Sequence, residues 1–213
     1  MNKAGKVVSR IHLPYIGQRV IKTSIAVFLC QDHLSQISSS VLFRLSYLNQ
    51  DGAGIYDANE NIYLSTGCMP LESSEWLMGK LNNMGLSYFI YTVNKNRNFI
   101  YHRGTLSGEE QQVMQRMRRS PYRHYLNDDS LELQDIVYIK IIAREDRAER
   151  IWREMRDTLA SNGLRIVLRP QPGLDGVNGL YFYASEATVE DAKARVLEMI
   201  RDKHPEVQAR KIV

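Results

Sequence analysis

Two glycines and a group of Asp and Asn residues lie close together in YLNQDGAGIYDANENIYLS, residues 47–65. Such a segment can cradle a phosphate, bind a dinucleotide or hold calcium. A dinucleotide loop needs G-x-G-x-x-G directly before a helix, but Asp57 stands where the third glycine belongs. A calcium loop needs a glycine at its sixth position and an acid at its twelfth, where Ile62 and Cys68 stand. The segment is therefore predicted to be a strand junction followed by a hairpin.

Other candidate motifs carry weaker signals for chemistry. Gly79-Lys80 lacks both the first glycine and the hydroxyl residue of a P-loop. The five histidines have no i,i+4 partner, which disfavours a zinc site. The run RMRRSPYRHY, residues 116–125, interleaves arginines with tyrosines. That run is typical either of a grip on RNA or a phosphorylated ligand, or of a solvated helix end where cations are favourable.

Composition indicates a globular protein of the cytoplasm. The chain has 213 residues, 44% hydrophobic and 24% charged, so it can bury a core. Its net charge of +4 favours anionic metabolites as ligands and is too small to indicate nucleic acid. Cys30 and Cys68 are far apart and in no ligand spacing, which favours free thiols in a reducing compartment.

Residues 1–40 are predicted to form an N-terminal helical segment. Basic residues precede the apolar run TSIAVFLC, which is too short to span a bilayer because spanning takes about 20 residues. The stretch LPYIGQRVIKTSIAVFLC resembles the start of the first membrane helix in fusaric-acid-resistance/aromatic-acid-exporter membrane proteins. The alternative is an amphipathic helix packed on the domain, which argues against a membrane role. Its inward stripe is Ile16, Val20, Ile21, Ile25 and Phe28.

Residues 41–213 alternate between strand and helix patterns. The clearest helix is DRAERIWREMRDTLASNG, whose apolar residues from Ala148 to Leu159 share one face. Three more helices are predicted: SSEWLMGKLNNMG with a serine cap, SGEEQQVMQRMRRS with a Ser107–Glu110 capping box, and TVEDAKARVLEMIRDKH capped by Thr188. The predicted strands are VLFRLSYL, GIYD, IYLS, LSYFIYTV, NFIYHR, DIVYIKIIA, LRIVLRP, GLYFYA and ARKIV.

The order of these elements predicts the fold class. From Asp135 onward, strand, helix, strand, strand, helix and strand follow one another, which is a split βαβ pattern. Such units form small layers in which helices cover one face of a mixed sheet. An α/β (α+β) domain over residues 41–213 is the prediction.

The segment at residues 47–65 resembles the sequence NGAxIYDxxxxxI of Cof-type phosphatases in the haloacid-dehalogenase-like (HAD-like) superfamily. In that family it marks the passage from the catalytic core into a substrate-specificity cap. FIYTVNKNRNFIYHRG resembles the paired cap strands, and DIVYIKIIAREDRAERIWREMRDTL the strand and helix that follow. GLYFYASEATVEDAKARVLEMI resembles the return to the core. The resemblance implies an HAD-type cap-like domain with partial core elements at its ends.

The catalytic residues of that family are not matched in this chain. Its DxDxT motif, in which one Asp attacks phosphorus and the other acts as acid and base beside Mg²⁺, occurs nowhere in the sequence. Val189 stands where the family has a lysine, and the metal-binding GDxxND loop is expected after the strand ARKIV, whose last residue, Val213, is the last of the sequence. The resemblance thus implies a magnesium-dependent hydrolase without supplying its ligands, and whether the chain is an enzyme stays open.

Three functions are compatible with these observations. The first is a cap-like domain that binds a phosphorylated small molecule without a complete catalytic core, either as a homo-oligomer or with a partner that supplies the core. The second is a non-catalytic split-βαβ module for protein interaction. The third is a magnesium-dependent phosphatase with rewired acids, such as Asp51, Asp57, Asp128 or Asp129.

Six residues are the candidates for ligand binding. Tyr91, His102 and Arg103 belong to the paired cap-like strands, and Arg169 ends a later strand. Asn49 and Gly52 are included because they match the family's Asn-Gly pair. The alternative for each side chain is an exposed position at the end of a strand.

Overall fold

The computed structural model describes residues 27–28, 46–49, 52–57, 62–94, 97–118, 123–126 and 135–203. The chain divides into two compact units. The first unit comprises Met1–Thr66 together with Thr188–Val213, and the second is the continuous segment Gly67–Ala187. The second unit is therefore inserted into the sequence of the first.

The described residues form strands and helices in the following chain order: β1 (Val27–Phe28), β2 (Ser46–Asn49), β3 (Gly54–Asp57), β4 (Ile62–Thr66), α1 (Leu71–Asn83), β5 (Tyr88–Asn94), β6 (Arg97–Arg103), α2 (Gly108–Met117), β7 (Arg123–Leu126), β8 (Ile136–Arg144), α3 (Glu145–Ser161), β9 (Leu164–Pro170), β10 (Val177–Ala184) and α4 (Val189–Lys203). None of the described helices is long and apolar enough to cross a membrane.

The first unit contains a sheet in the order β1-β2-β3-β4 and helix α4. Ala192 and Val196 of α4 pack on Ile55 of β3. The predicted cap of this helix is confirmed, because the Thr188 hydroxyl accepts a hydrogen bond from the Asp191 amide at 3.1 Å. Phe28 was predicted on a helix, but Val27–Phe28 is a strand that pairs in parallel with β2. The rest of residues 1–40 lies outside the described residues.

The second unit is built on a six-stranded sheet in the order β7-β6-β5-β8-β10-β9. All neighbouring strands are antiparallel except β6 and β7, which run parallel. Strand β8 therefore lies between β5 and β10, which come before and after it in the sequence. This mixed sheet confirms the predicted α/β class.

Helices α1 and α3 pack on the same face of this sheet. Ile151 and Met155 of α3 and Leu77 of α1 join Ile90 and Ile139 of the sheet in one apolar core. The apolar stripe predicted for α3 is confirmed, since Ala148, Ile151, Met155 and Leu159 are buried. Helix α2 differs from the prediction of helices on one face only, because its Glu110 contacts the opposite side of the sheet at His102.

The start of α1 corrects one detail of the sequence analysis. The predicted serine cap is wrong: Pro70 occupies the N-cap position, and no side chain caps the helix. Ser74 lies inside the helix instead, where its hydroxyl donates to the Leu71 carbonyl at 2.7 Å. Gly85, just after the helix end, has a φ of +62°, a conformation that glycine adopts readily where a helix stops.

Gly52 makes a close backbone approach within the first unit. Its φ is +92°, and a Cβ placed on it would lie 2.1 Å from the carbonyl oxygen of Thr188. Only glycine fits, because any side chain would collide with backbone at the start of α4 and would also be strained at this φ. The Arg195 guanidinium donates to the Gly52 carbonyl at 3.2 Å and to the Ser65 hydroxyl at 2.9 Å, which fixes this junction.

Substituting Gly52→Ala is expected to lower the free energy of unfolding by more than about 1 kcal/mol, because the native φ is incompatible with a side chain. Gly79→Ala is the matched control: an added Cβ in α1 meets nothing within 4 Å, and removing a helical glycine gains about 0.5–1 kcal/mol. Urea unfolding of both variants checks this. Equal stability of Gly52→Ala and the wild type would show that the close approach is not formed.

Candidate functional site

Tyrosine and cationic side chains gather on the sheet face opposite α1 and α3. Successive residues of a strand point to opposite faces. Because Ile90, Ile139 and Phe182 enter the helix-covered core, their neighbours lie on the other side. We call this side the tyrosine face, formed by Tyr91, Tyr138, Lys140, Arg165, Tyr181 and Tyr183.

One row of the tyrosine face crosses four strands. The strand registers align Tyr91 with Tyr138, Tyr138 with Tyr183, and Tyr183 with Arg165. The rings of Tyr91 and Tyr138 are stacked with centroids 4.0 Å apart, and the Arg165 guanidinium lies 4.5 Å from the centre of the Tyr183 ring. Three aromatic rings and a cation are thus aligned across the sheet, and ring stacking and cation–π attraction stabilise their arrangement.

Lys140 lies in the next row, between Phe89 and Tyr181. It is fully buried; its Nζ donates to the Gln171 Oε1 at 2.7 Å and lies 4.8 Å from the centre of the Tyr181 ring. Gly179 makes room for it, because an added Cβ there would lie 3.1 Å from the Lys140 Cε. A buried ammonium group is costly and is kept where its charge is satisfied or used.

Exposure differs among the members of the tyrosine face. Tyr91, Tyr138, Tyr183 and Lys140 are buried, whereas Tyr181 and Arg165 are partly exposed. Of these side chains, solvent therefore reaches Tyr181 and Arg165. The charge of Lys140 would attract an anion placed there, through a medium of low dielectric constant that strengthens the attraction.

A buried carboxylate lies at one end of this face. Glu110 is 0% exposed and accepts hydrogen bonds of 2.8 Å from the Ser87 hydroxyl and from the Ser107 amide, the latter closing the predicted capping box of α2. His102 Nε2 lies 3.8 Å from its Oε1, which is too long for a hydrogen bond. Burial raises the pKa of Glu110, but His102 and the bonds from Ser107 and Ser87 outweigh it, so the pKa is lowered from 4.5.

A polar cleft of about 410 Å³ lies beside this carboxylate at the end of the sheet. Its lining includes Ser87, Gly104, Thr105, Ser107 and Arg147. Gly104 has a φ of +82°, and an added Cβ there would lie 3.1 Å from the Ser87 Cα. The cleft is thus shaped by a close approach of two backbone segments.

The structure brings together two of the six residues predicted to bind a ligand. Tyr91 and His102 lie on the tyrosine-face side of neighbouring strands. Arg169 lies on the same side but on β9 at the sheet edge, and Arg103 lies on the opposite side because it follows His102.

The remaining two predicted residues belong to the first unit. Asn49 ends β2 opposite Gly54. The need for glycine at position 52 is explained by its positive φ and its close approach to Thr188. Of the acids suggested for a rewired phosphatase, Asp57 ends β3, whereas Asp51, Asp128 and Asp129 lie outside the described residues.

Sequence reasoning missed most of the tyrosine face. Tyr138 and Lys140, and likewise Tyr181 and Tyr183, have the i,i+2 spacing that places two side chains on one face of a strand. That spacing was available in DIVYIKIIA and GLYFYA. The pairing of β8 with both β5 and β10, which aligns the four rings, was not.

In the part of the chain that the structure describes, the basic and aromatic run contributes Arg116 and Met117 to α2 and residues 123–125 to β7. The Arg118 guanidinium lies 5.7 Å from the centre of the Tyr125 ring, so one cation and one ring of the run contact each other within the protein. Strand β7 was not predicted, because four residues with an arginine at the start carry little strand pattern.

Magnesium, which the family resemblance implies, prefers carboxylate oxygens and water. Among the residues that the structure describes, no group of three or more His, Cys, Asp or Glu side chains could hold a metal ion. These residues do not fit a magnesium site, and no chemical step of this chain is assigned to the ion.

Replacing Glu110 by Gln is expected to remove a pH-dependent part of the stability. A lowered folded-state pKa means that ionised Glu110 stabilises the fold above the unfolded pKa, and that this contribution fades as pH falls through the folded value. The stability advantage of the wild type over Glu110→Gln should therefore shrink below pH 4.5. Urea unfolding across this pH range measures it, with the exposed Glu154→Gln as control. A pH-independent advantage would contradict the prediction.

No family model and no curated protein matches this sequence. Solved structures are similar in fold. A haloacid dehalogenase-like hydrolase from Bacteroides thetaiotaomicron has a TM-score of 0.56 at 15% identity, covering 74% of this chain and 55% of that one. A haloacid dehalogenase-like hydrolase from B. subtilis has a TM-score of 0.56 at 13% identity, covering 84% and 67%. A subclass IIB sugar phosphatase of the HAD superfamily has a TM-score of 0.53 at 12% identity, covering 81% and 58%.

The chain spans 55% to 67% of the lengths of these three structures. At such low identities the likeness concerns the fold. It confirms the predicted HAD-like α/β architecture: this chain has the fold of part of a haloacid dehalogenase-like hydrolase.

Proposed function

We propose that this chain is a cap-like substrate-binding domain of the HAD type, which holds a phosphorylated small metabolite on the tyrosine face. The observation that carries the proposal is the burial of Lys140 against the Tyr181 ring, with Arg165 over the Tyr183 ring of the same face. Two cations on one face attract an anion, and the partly exposed Tyr181 ring, backed by three buried tyrosine rings, offers surface to its apolar part.

The order of the two units supports a cap role. The second unit is one continuous insertion between β4 and α4 of the first. An inserted domain that carries the binding residues suits a cap whose chemistry is done elsewhere.

The missing DxDxT motif supports a domain without a complete catalytic core. In this proposal the attacking Asp and the magnesium ligands come from a partner chain. Tyr181 and Arg165 orient the ligand, and the charge of Lys140 favours its anionic group.

Composition supports the cytoplasm as the place of action. The two dispersed cysteines suit a reducing compartment, and a net charge of +4 suits small anionic ligands better than nucleic acid.

Lys140→Met is expected to weaken the binding of a sugar phosphate. Methionine keeps the length and apolar stem of the side chain but removes its charge, so affinity should fall by roughly tenfold, as for the loss of one charged hydrogen bond. Titration of the purified chain with glucose 6-phosphate, followed by amide NMR, measures this. The wild type should show shifts confined to the strands of the tyrosine face.

Lys80→Met on α1 is the matched control, because Lys80 is exposed and lies on the other side of the sheet. Its affinity should equal that of the wild type. Equal binding by Lys140→Met and the wild type would show that the ligand does not bind at the tyrosine face. A wild type that ignores the ligand and self-associates instead would contradict the proposal and favour the interaction module.

A further inference from the structure

Arg116 joins helix α2 to the turn between β9 and β10. It lies in the last turn of α2, and its Nη1 donates to the carbonyl oxygens of Pro172 at 3.2 Å and Gly173 at 2.9 Å. These acceptors are more than fifty residues away in the sequence. One side chain therefore fastens the end of a helix to a distant turn.

Gly173 allows this approach. Its φ is +73°, and a Cβ placed on it would lie 2.3 Å from the Arg116 Nη1. Any other residue would displace the guanidinium and be strained at this φ. The backbone of the turn is thus shaped to receive the arginine.

The same turn presents Gln171 to Lys140. The Gln171 amide donates to the Val177 carbonyl at 2.7 Å, and its own carbonyl accepts from the Leu174 amide at 3.2 Å. Its side chain is buried, and its Oε1 accepts a hydrogen bond of 2.7 Å from the Lys140 Nζ. Gln171 directly precedes Pro172, whose carbonyl accepts a hydrogen bond from Arg116. A shift of the turn therefore moves Gln171 as well.

We propose that Arg116 is a positioning residue for Lys140. It fixes the turn, the turn holds Gln171, and Gln171 directs the ammonium of Lys140 across the Tyr181 ring. The planar guanidinium is suited to this task because it can donate to two carbonyls in a fixed geometry. The effect of Arg116 on a ligand rests on the function proposed above, whereas its effect on Lys140 does not.

The test compares Arg116→Ala with Arg116→Lys, and uses Gln115→Ala on the exposed side of α2 as control. The readout is the NMR signal of the Lys140 side-chain CH₂ next to Nζ, assigned through Lys140→Met. In the wild type this signal should carry the ring-current shift of Tyr181. Arg116→Ala should move it toward the position of a solvated lysine, Arg116→Lys should move it part of the way, and Gln115→Ala should leave it unchanged.

Gln171→Leu keeps the test decisive should Arg116→Ala fail to fold. It should reproduce the Lys140 shift change with Arg116 in place, and the double variant should add nothing further, because both residues act through one contact. An unchanged Lys140 signal in Arg116→Ala, or additive changes in the double variant, would overturn the proposal.

Binding of glucose 6-phosphate separates this proposal from the function it rests on. Arg116→Ala should bind it roughly tenfold more weakly than the wild type. The expected loss is that of one charged interaction, because the ammonium of Lys140 is no longer held in place. If the wild type does not bind, the proposed function fails while the Lys140 signal still decides the role of Arg116. Tighter binding by Arg116→Ala would show that the turn hinders the ligand, and it would overturn the proposal that Arg116 positions Lys140.

Discussion

Strand β8 lies between two antiparallel neighbours and is buried on both faces, and the second unit depends on this constraint. Its residues must satisfy two different environments in alternation. Ile139 and Ile141 enter the apolar core beneath α1 and α3, whereas Tyr138 and Lys140 lie among rings on the other side. A shift of one residue in register would exchange the two sets and bury an ammonium among aliphatic side chains. The register of the strand pairing therefore determines which side chains form the tyrosine face.

The buried ammonium of Lys140 explains why polar side chains and turns are needed around the sheet of the second unit. Lys140 needs an acceptor, and the acceptor is supplied by a turn that carries two glycines with positive φ. Arg116 binds that turn from the last turn of α2. In the first turn of α2, Glu110 completes the capping box and accepts a hydrogen bond from Ser87. The helix is thus held at its first and last turns by charged side chains rather than by a broad apolar face, as its largely polar sequence requires.

Local patterns predicted the elements well and their arrangement poorly. The stripe on α3, the Ser107–Glu110 box and the Thr188 cap are determined by residues within a few positions of one another, and the structure confirms them. Strand β7 was missed because its pairing with β6 is a tertiary contact that outweighs local propensity. The tyrosine face was missed for the same reason, since its four rings meet only when three strands far apart in sequence are aligned. Tyr91 was chosen from a family pattern, whereas Lys140 could be found only through its register with Phe89 and Tyr181.

The continuous insertion of residues 67–187 between β4 and α4 has a consequence for how such a protein can change over generations. A segment that is continuous in sequence can be exchanged, lengthened or lost as one piece of coding sequence. The residues of the second unit can then vary independently of those of the first. On the function proposed above, a lineage can in this way alter ligand recognition without altering the first unit.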